Sequence, residues 1–273
     1  MTSTKTCDEG KEDVDAGLGT KYGSLRAIVF GSTGATGIQV VQTLLQRSNK
    51  WSSVVSVSRR KVSEMLPPEA NTKNLQEVVV KDMFDLDLMR DALKEAGEAD
   101  SVFVCTGTTR GAAGGAEGFK KVEVDIPRTI ATALTSIEPS DDDDDDGGDE
   151  ISRLHVSVVS AQGANADLGF APDWIHPLLY VKTLGQKERV FTDRQSRFRS
   201  VSLFRPGMLN RLKGDRWHEN VLNRLGMGLR VDRLASAMVT DAERRSASSC
   251  TETVQTFEGN GVIGEMASLH SSS

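Results

Sequence analysis

Short runs rich in valine and isoleucine alternate along this chain with longer stretches whose apolar positions recur every three to four residues. The short runs fit strands buried on both faces and the long ones fit amphipathic helices. Their alternation predicts an α/β fold: a doubly wound, mostly parallel sheet with helices on both faces. Strands are predicted at Leu25–Phe30, Val54–Ser58, Glu77–Val80 and Ser101–Cys105, in "LHVSVVS" ending at Ser160, in "SVSLFRP" from Ser200, and in "ETVQTFE" near the C-terminus. Helices are predicted over Ala35–Gln46, Leu86–Ala96 and Glu117–Ile137, the last kinked or divided by Pro127, which lacks the donor for the preceding turn.

Three stretches break this rhythm. Residues 1–24 are polar and acidic, without a basic or apolar leader, and predict a disordered tail. Residues 139–150 hold Asp141 to Asp146, a block of carboxylates that repel one another and predict a solvated insertion. Its spacing is not that of an EF-hand. Residues 263–273 predict a second tail, which leaves 25–262 as a single domain. The formal net charge is −6, and Asp141 to Asp146 alone account for it, so the acidity is local. No apolar run approaches the roughly 20 residues that span a bilayer. Three cysteines at wide spacing predict reduced thiols, Cys105 among them as a small buried hydrophobe. These features together predict a soluble cytoplasmic protein, with the mitochondrial outer surface as the alternative location. The four histidines, His155, His176, His218 and His270, lack metal-ligand spacing, so no metal site is predicted. "RLKGDRW", from Arg211 to Trp217, is too short and too poor in aromatics for a nucleic-acid platform.

Chemistry enters where the first strand ends. In "GSTGATG", Gly31 permits a tight turn, Gly34 lets backbone approach a pyrophosphate, and Gly37 lets the following helix pack closely. The helix's first amides then face the phosphates. Arg59, at the end of the second strand, lies 22 residues beyond Gly37, within "SRRK". A carboxylate at this place suits the ribose hydroxyls of NAD, whereas arginine suits the extra phosphate of NADP. Arg59 and Arg60 therefore predict NADP(H) as cofactor. Asp82 and Met83 follow the third strand, near the place where such sheets meet adenine.

"GSTGATG", "SRRK", "TGTTRGAAGGAEGF" and "FRPG" occur in an order and spacing that resembles the Tat-interactive-protein branch of the atypical short-chain dehydrogenases, a group that includes fungal mitochondrial proteins. The resemblance runs from about Leu25 to Asn260. It implies a Rossmann sheet that binds NADPH, with Gly31, Ser32, Thr33, Gly34, Ala35, Thr36 and Gly37 at the phosphates and Arg59 and Arg60 at the 2′-phosphate. It further implies Asp82 and Met83 at adenine, Thr106, Gly107, Thr108, Thr109 and Arg110 near the nicotinamide ribose, and Arg205, Pro206 and Gly207 at the rim.

Short-chain dehydrogenases use a tyrosine as proton donor, a lysine four residues on and a serine that polarises the carbonyl. Aligned on its lysine, "LLYVKTLGQKE" puts Lys182 at the lysine position and Leu178 where the tyrosine belongs. Tyr180 stands two residues before Lys182, so the two share a helix face only if Pro177 delays the helix past Tyr180. Ser160 survives at the end of its strand, with Ala161 beside it. The catalytic candidates are thus Ser160, Tyr180 and Lys182, with Lys182 also able to hold the ribose. Two functions follow: an NADP-dependent reductase of a small carbonyl substrate, or a non-catalytic NADPH-binding scaffold or sensor acting through protein partners.

Overall fold

The computed structural model describes residues 25–136, 154–210, 228–247 and 253–269. The N-terminal tail, the acidic insertion, "RLKGDRW", His218, His270, Cys7 and Cys250 lie outside the described residues. In chain order the elements are β1 (Leu25–Phe30), α1 (Ala35–Gln46), β2 (Trp51–Ser58), β3 (Leu75–Val79), α2 (Leu86–Ala96), β4 (Ser101–Val104), α3 (Ala116–Lys120), a π-helical turn (Lys121–Asp125) and α4 (Ile126–Thr135). Then come β5 (His155–Val159), α5 (His176–Thr192), β6 (Ser200–Arg205), β7 (Leu209–Asn210), β8 (Leu229–Arg230), α6 (Val231–Ala247), β9 (Val254–Glu258) and α7 (Asn260–Ser268).

Seven strands form one sheet in the order β3-β2-β1-β4-β5-β6-β9, every pair parallel, while β7 and β8 pair separately. Parallel neighbours need crossovers, and the helices that supply them cover both faces. On one face Phe30, Val57, Val104, Val158 and Leu203 pack with Met89, Ile130 and Phe191 of α2, α4 and α5. On the other, Val29, Phe103 and Phe204 pack with Val40 and Leu44 of α1 and Leu234 and Met238 of α6. Strand order reverses at β1, between β2 and β4, which opens a crevice outside the carboxyl ends of these strands.

The stretch predicted to divide at Pro127 does so: a π turn separates α3 from α4, and the proline, which cannot donate to the preceding turn, falls at the start of α4. One predicted boundary moves. The expected C-terminal tail is helical through Ser268, because Ile263 is fully buried and Met266 and Ala267 pack beside it.

Candidate functional site

The bend after β1 is shaped by the absence of side chains. Gly31 takes φ +72, and a Cβ there would lie 2.7 Å from the Thr106 amide nitrogen. One on Gly37 would meet the Gly31 carbonyl oxygen at 2.2 Å, so α1 begins as close to the bend as backbone permits. Gly34, the N-cap of α1, has no side chain to cap the helix, and the first turn holds no acid. The N-terminal amides and the positive end of the dipole are therefore left for an anion. Ser32 lies fully buried below the bend, its hydroxyl 2.6 Å from that of Ser56 on β2. Thr33, Ala35 and Thr36 are partly exposed on the bend's outer side.

Arg59 and Arg60 leave the end of β2 exposed, and among the described residues their guanidiniums make no ion pair. The Ser58 hydroxyl donates to the Arg60 carbonyl at 2.5 Å, which fixes the turn. Asp82 is exposed, with Oδ1 accepting from the Phe84 amide at 2.9 Å. The Met83 side chain belongs to the core, 5% exposed.

At the ends of β4 and β5 two buried hydroxyls have no hydrogen-bond partner among the described residues: Thr106 Oγ1 and Ser160 Oγ. Val104 pairs with Val158, so Thr106 and Ser160 stand on adjacent strand ends two residues beyond the last pair of the ladder. A buried, unpaired hydroxyl is costly unless a ligand completes it. The loop of Gly107, Thr108, Thr109 and Arg110 leaves Thr106 for α3; Thr109 Oγ1 accepts from the Ala112 amide at 3.2 Å. Beneath it Cys105 is buried and its thiol is pushed up to about 12 by burial, against the opposing pull of Lys187.

Helix α5 starts at His176, before Tyr180, with Pro177 in its first turn. The delayed start that Tyr180 and Lys182 require does not occur: two steps of about 100° put them on different faces. The Tyr180 ring stacks on Phe119 at 5.8 Å and meets His176 edge-on at 6.0 Å. Lys182 donates to the Gly169 carbonyl at 3.5 Å, away from the strand ends. The residue four beyond Tyr180 is Leu184, 3% exposed. The lysine that does reach the site is Lys187, whose Nζ donates to the Thr106 carbonyl at 2.6 Å and lies 3.2 Å from Glu123. Sequence reasoning missed both residues. The available signal was a lysine on the buried face of α5, in phase with Leu184 and Val190.

The "FRPG" turn is built as a brace. Arg205 makes a two-pronged pair with Glu188, at 2.8 and 2.6 Å, and reaches Glu258 at 3.3 Å. Glu188 and Glu258 hold its guanidinium fully engaged and raise its pKa further. The Pro206 carbonyl accepts from Gln162, and the Gly207 amide donates to Asn260. Among the described residues no cluster of metal ligands occurs and no helix is long and apolar enough to cross a membrane.

A seven-stranded parallel sheet with a glycine bend and a bare helix N-terminus at its reversal point is the α/β Rossmann architecture of short-chain dehydrogenase-like proteins. Solved structures agree on this fold: Gre2 in complex with NADPH from Candida albicans superposes with TM-score 0.61 at 15% identity, covering 85% of this chain and 77% of that one. WbmF of Bordetella bronchiseptica in complex with NAD+ gives 0.58 at 13% identity, covering 91% and 78%. No family model matches the chain. Protein FMP52-1, mitochondrial, of Scheffersomyces stipitis is 30% identical over 206 residues, 75% of each chain. Protein FMP52, mitochondrial, of Lodderomyces elongisporus is 31% identical over 186 residues, 67% of this chain and 66% of that one. The chain belongs to the FMP52 family. These relatives are named as mitochondrial proteins, so the cytoplasmic location expected from the sequence does not stand.

Proposed function

We propose that the chain binds NADPH at the crevice above β1 and reduces a small carbonyl compound, in mitochondria as its relatives' names suggest. The observation that carries this reading is the meeting of a side-chain-free bend with two buried, unpartnered hydroxyls, Thr106 and Ser160, on adjacent strand ends. The bend and the amides of Ala35, Thr36 and Gly37 suit a pyrophosphate. The free guanidiniums of Arg59 and Arg60 suit a 2′-phosphate, and Thr106 to Arg110 suit the nicotinamide ribose. When bound, the reduced nicotinamide supplies a hydride. Ser160 donates a hydrogen bond to the carbonyl oxygen, a bond strengthened as negative charge develops there. Tyr180 delivers the proton to that oxygen. The order of its motifs supports reading the chain as a relative of the Tat-interactive-protein branch within that wider superfamily.

A second reading, a non-catalytic NADPH-binding scaffold or sensor, is favoured by one observation: Leu184 occupies the place four residues beyond Tyr180, and Lys182 turns to Gly169. The two readings separate in one experiment. With NADPH at saturation, absorbance is followed across a panel of small aldehydes and ketones. Turnover that disappears in Tyr180→Phe supports the reductase; tight NADPH binding with no oxidation supports the scaffold; failure to bind NADPH overturns both.

A further inference from the structure

Behind the loop that follows β4, a cation and an anion meet out of water. Lys187 on α5 is 1% exposed and Glu123 in the π-helical turn is 4% exposed. Their charged groups lie 3.2 Å apart. Each also grips the same short piece of chain: Lys187 Nζ donates to the Thr106 carbonyl at 2.6 Å, and Glu123 Oε1 accepts from the Thr108 amide at 2.6 Å. Gly107 sits between, so close that a Cβ would lie 3.2 Å from Glu123 Oε1. The carboxylate is brought inward by the π turn, a departure from regular helix that occurs frequently at functional sites.

A buried ion pair adds little to stability compared with apolar residues of the same volume, which often serve a fold as well or better. What apolar residues could not do is hold one carbonyl and one amide of Thr106–Thr108 in a fixed orientation. That orientation decides how the loop presents itself beside the unpartnered Thr106 and Ser160 hydroxyls. Lys187 is seven residues beyond Tyr180, within about 20° of two full turns, so both stand on the helix face turned toward Phe119 and the loop.

We infer that Lys187 and Glu123 are positioning residues for the nicotinamide half of the cofactor, acting through the backbone of Thr106–Thr108 and touching no ligand themselves. The inference rests on the NADPH reading above. It ties the geometry of the α3–π–α4 stretch directly to affinity for the reactive end of the dinucleotide.

The test compares two ligands by calorimetry or fluorescence titration: NADPH, and adenosine 2′,5′-bisphosphate, which lacks the nicotinamide half. The double variant Lys187→Met/Glu123→Leu exchanges the pair for apolar groups of similar volume and, because it leaves the Thr106 carbonyl and the Thr108 amide without these partners, should melt somewhat below the parent while still folding. NADPH binding should weaken about tenfold, on the scale of a lost hydrogen bond to a charged group, while the bisphosphate binds as before. Should that variant fail to fold, Lys187→Met alone removes the donor to the Thr106 carbonyl, and the same selective loss is expected. Equal weakening of both ligands, or unchanged NADPH affinity, overturns the positioning role. A parent protein that binds neither ligand refutes the cofactor reading instead, and the positioning role with it.

Discussion

At the scale of single residues, the site is most legible where backbone geometry leaves no alternative. Gly31 and Gly37 could be assigned from spacing because a Cβ at either would collide with backbone only a few residues away or on the next strand. Arg59 and Arg60 were assigned from their place after β2, and they stand exposed and unengaged there. Replacing both with alanine should weaken NADPH binding by about tenfold or more while leaving NADH nearly unchanged, as expected when charge-assisted contacts to a phosphate are lost. Calorimetric titration of both nucleotides measures the difference; equal losses for the two would refute the phosphate assignment. Arg205, expected at the rim from the resemblance, also braces β6 against α5 and β9 through Glu188 and Glu258. Sequence could not reveal that, because its two partners come from elsewhere in the chain.

At the scale of elements, the strands of the main sheet and helices α1 and α2 were readable from apolar periodicity, α6 went unpredicted, and the other errors came from helix phase and distant packing. Which lysine of α5 turns inward depends on where the helix begins, and Pro177 allows a start at His176. That start sends Lys182 outward and Lys187 to the loop. Residues 263–273 were read as a tail from their serine-rich end, yet burial of Ile263 against α6 holds the chain helical through Ser268. A comparable long-range tie joins α1, β2 and α6. Glu243 lies 3.3 Å from Arg47 and 3.0 Å from Lys50, and accepts from the Trp51 indole at 3.0 Å. Removing the carboxylate leaves the nearly buried Arg47 without its counter-charge. Glu243→Ala should therefore cost about 3 kcal/mol of unfolding free energy, read from the urea midpoint; a loss within experimental error would show that water replaces the carboxylate.

At the scale of the whole molecule, the sheet and its two helical layers followed from the order of apolar runs. The polar cluster under the amino ends of β5 and β6 did not, since its members meet only in three dimensions. His155 is fully buried, with its ring nitrogens 2.8 Å from the Ser200 hydroxyl and 3.0 Å from that of Ser157. Asp241 lies 3.5 Å away on α6 and itself faces Arg245. Burial first, then Arg245 and Arg199, push His155 down from 6.5 to about 3. The unfolded chain thus takes up this proton before the folded one, so the contribution is complete above pH 6.5 and declines as pH falls from there toward about 3. Burial raises the Asp241 carboxyl, which opposes the trend at the acid end. His155→Gln should flatten the fall of melting temperature between pH 6.5 and 4.5; an unchanged slope would exclude His155 as its source.

The placement of β1 bears on how the molecule gives way under traction. Although it is the first strand among the described residues, it lies in the interior of the sheet, hydrogen-bonded to β2 on one flank and β4 on the other. Pulling from the front end must shear both ladders at once and split the sheet through its middle. Pulling from the back end unzips α7 and then β9, which is held along one flank only. The chain should accordingly resist a motor that grips its leading end far longer than one that grips its trailing end.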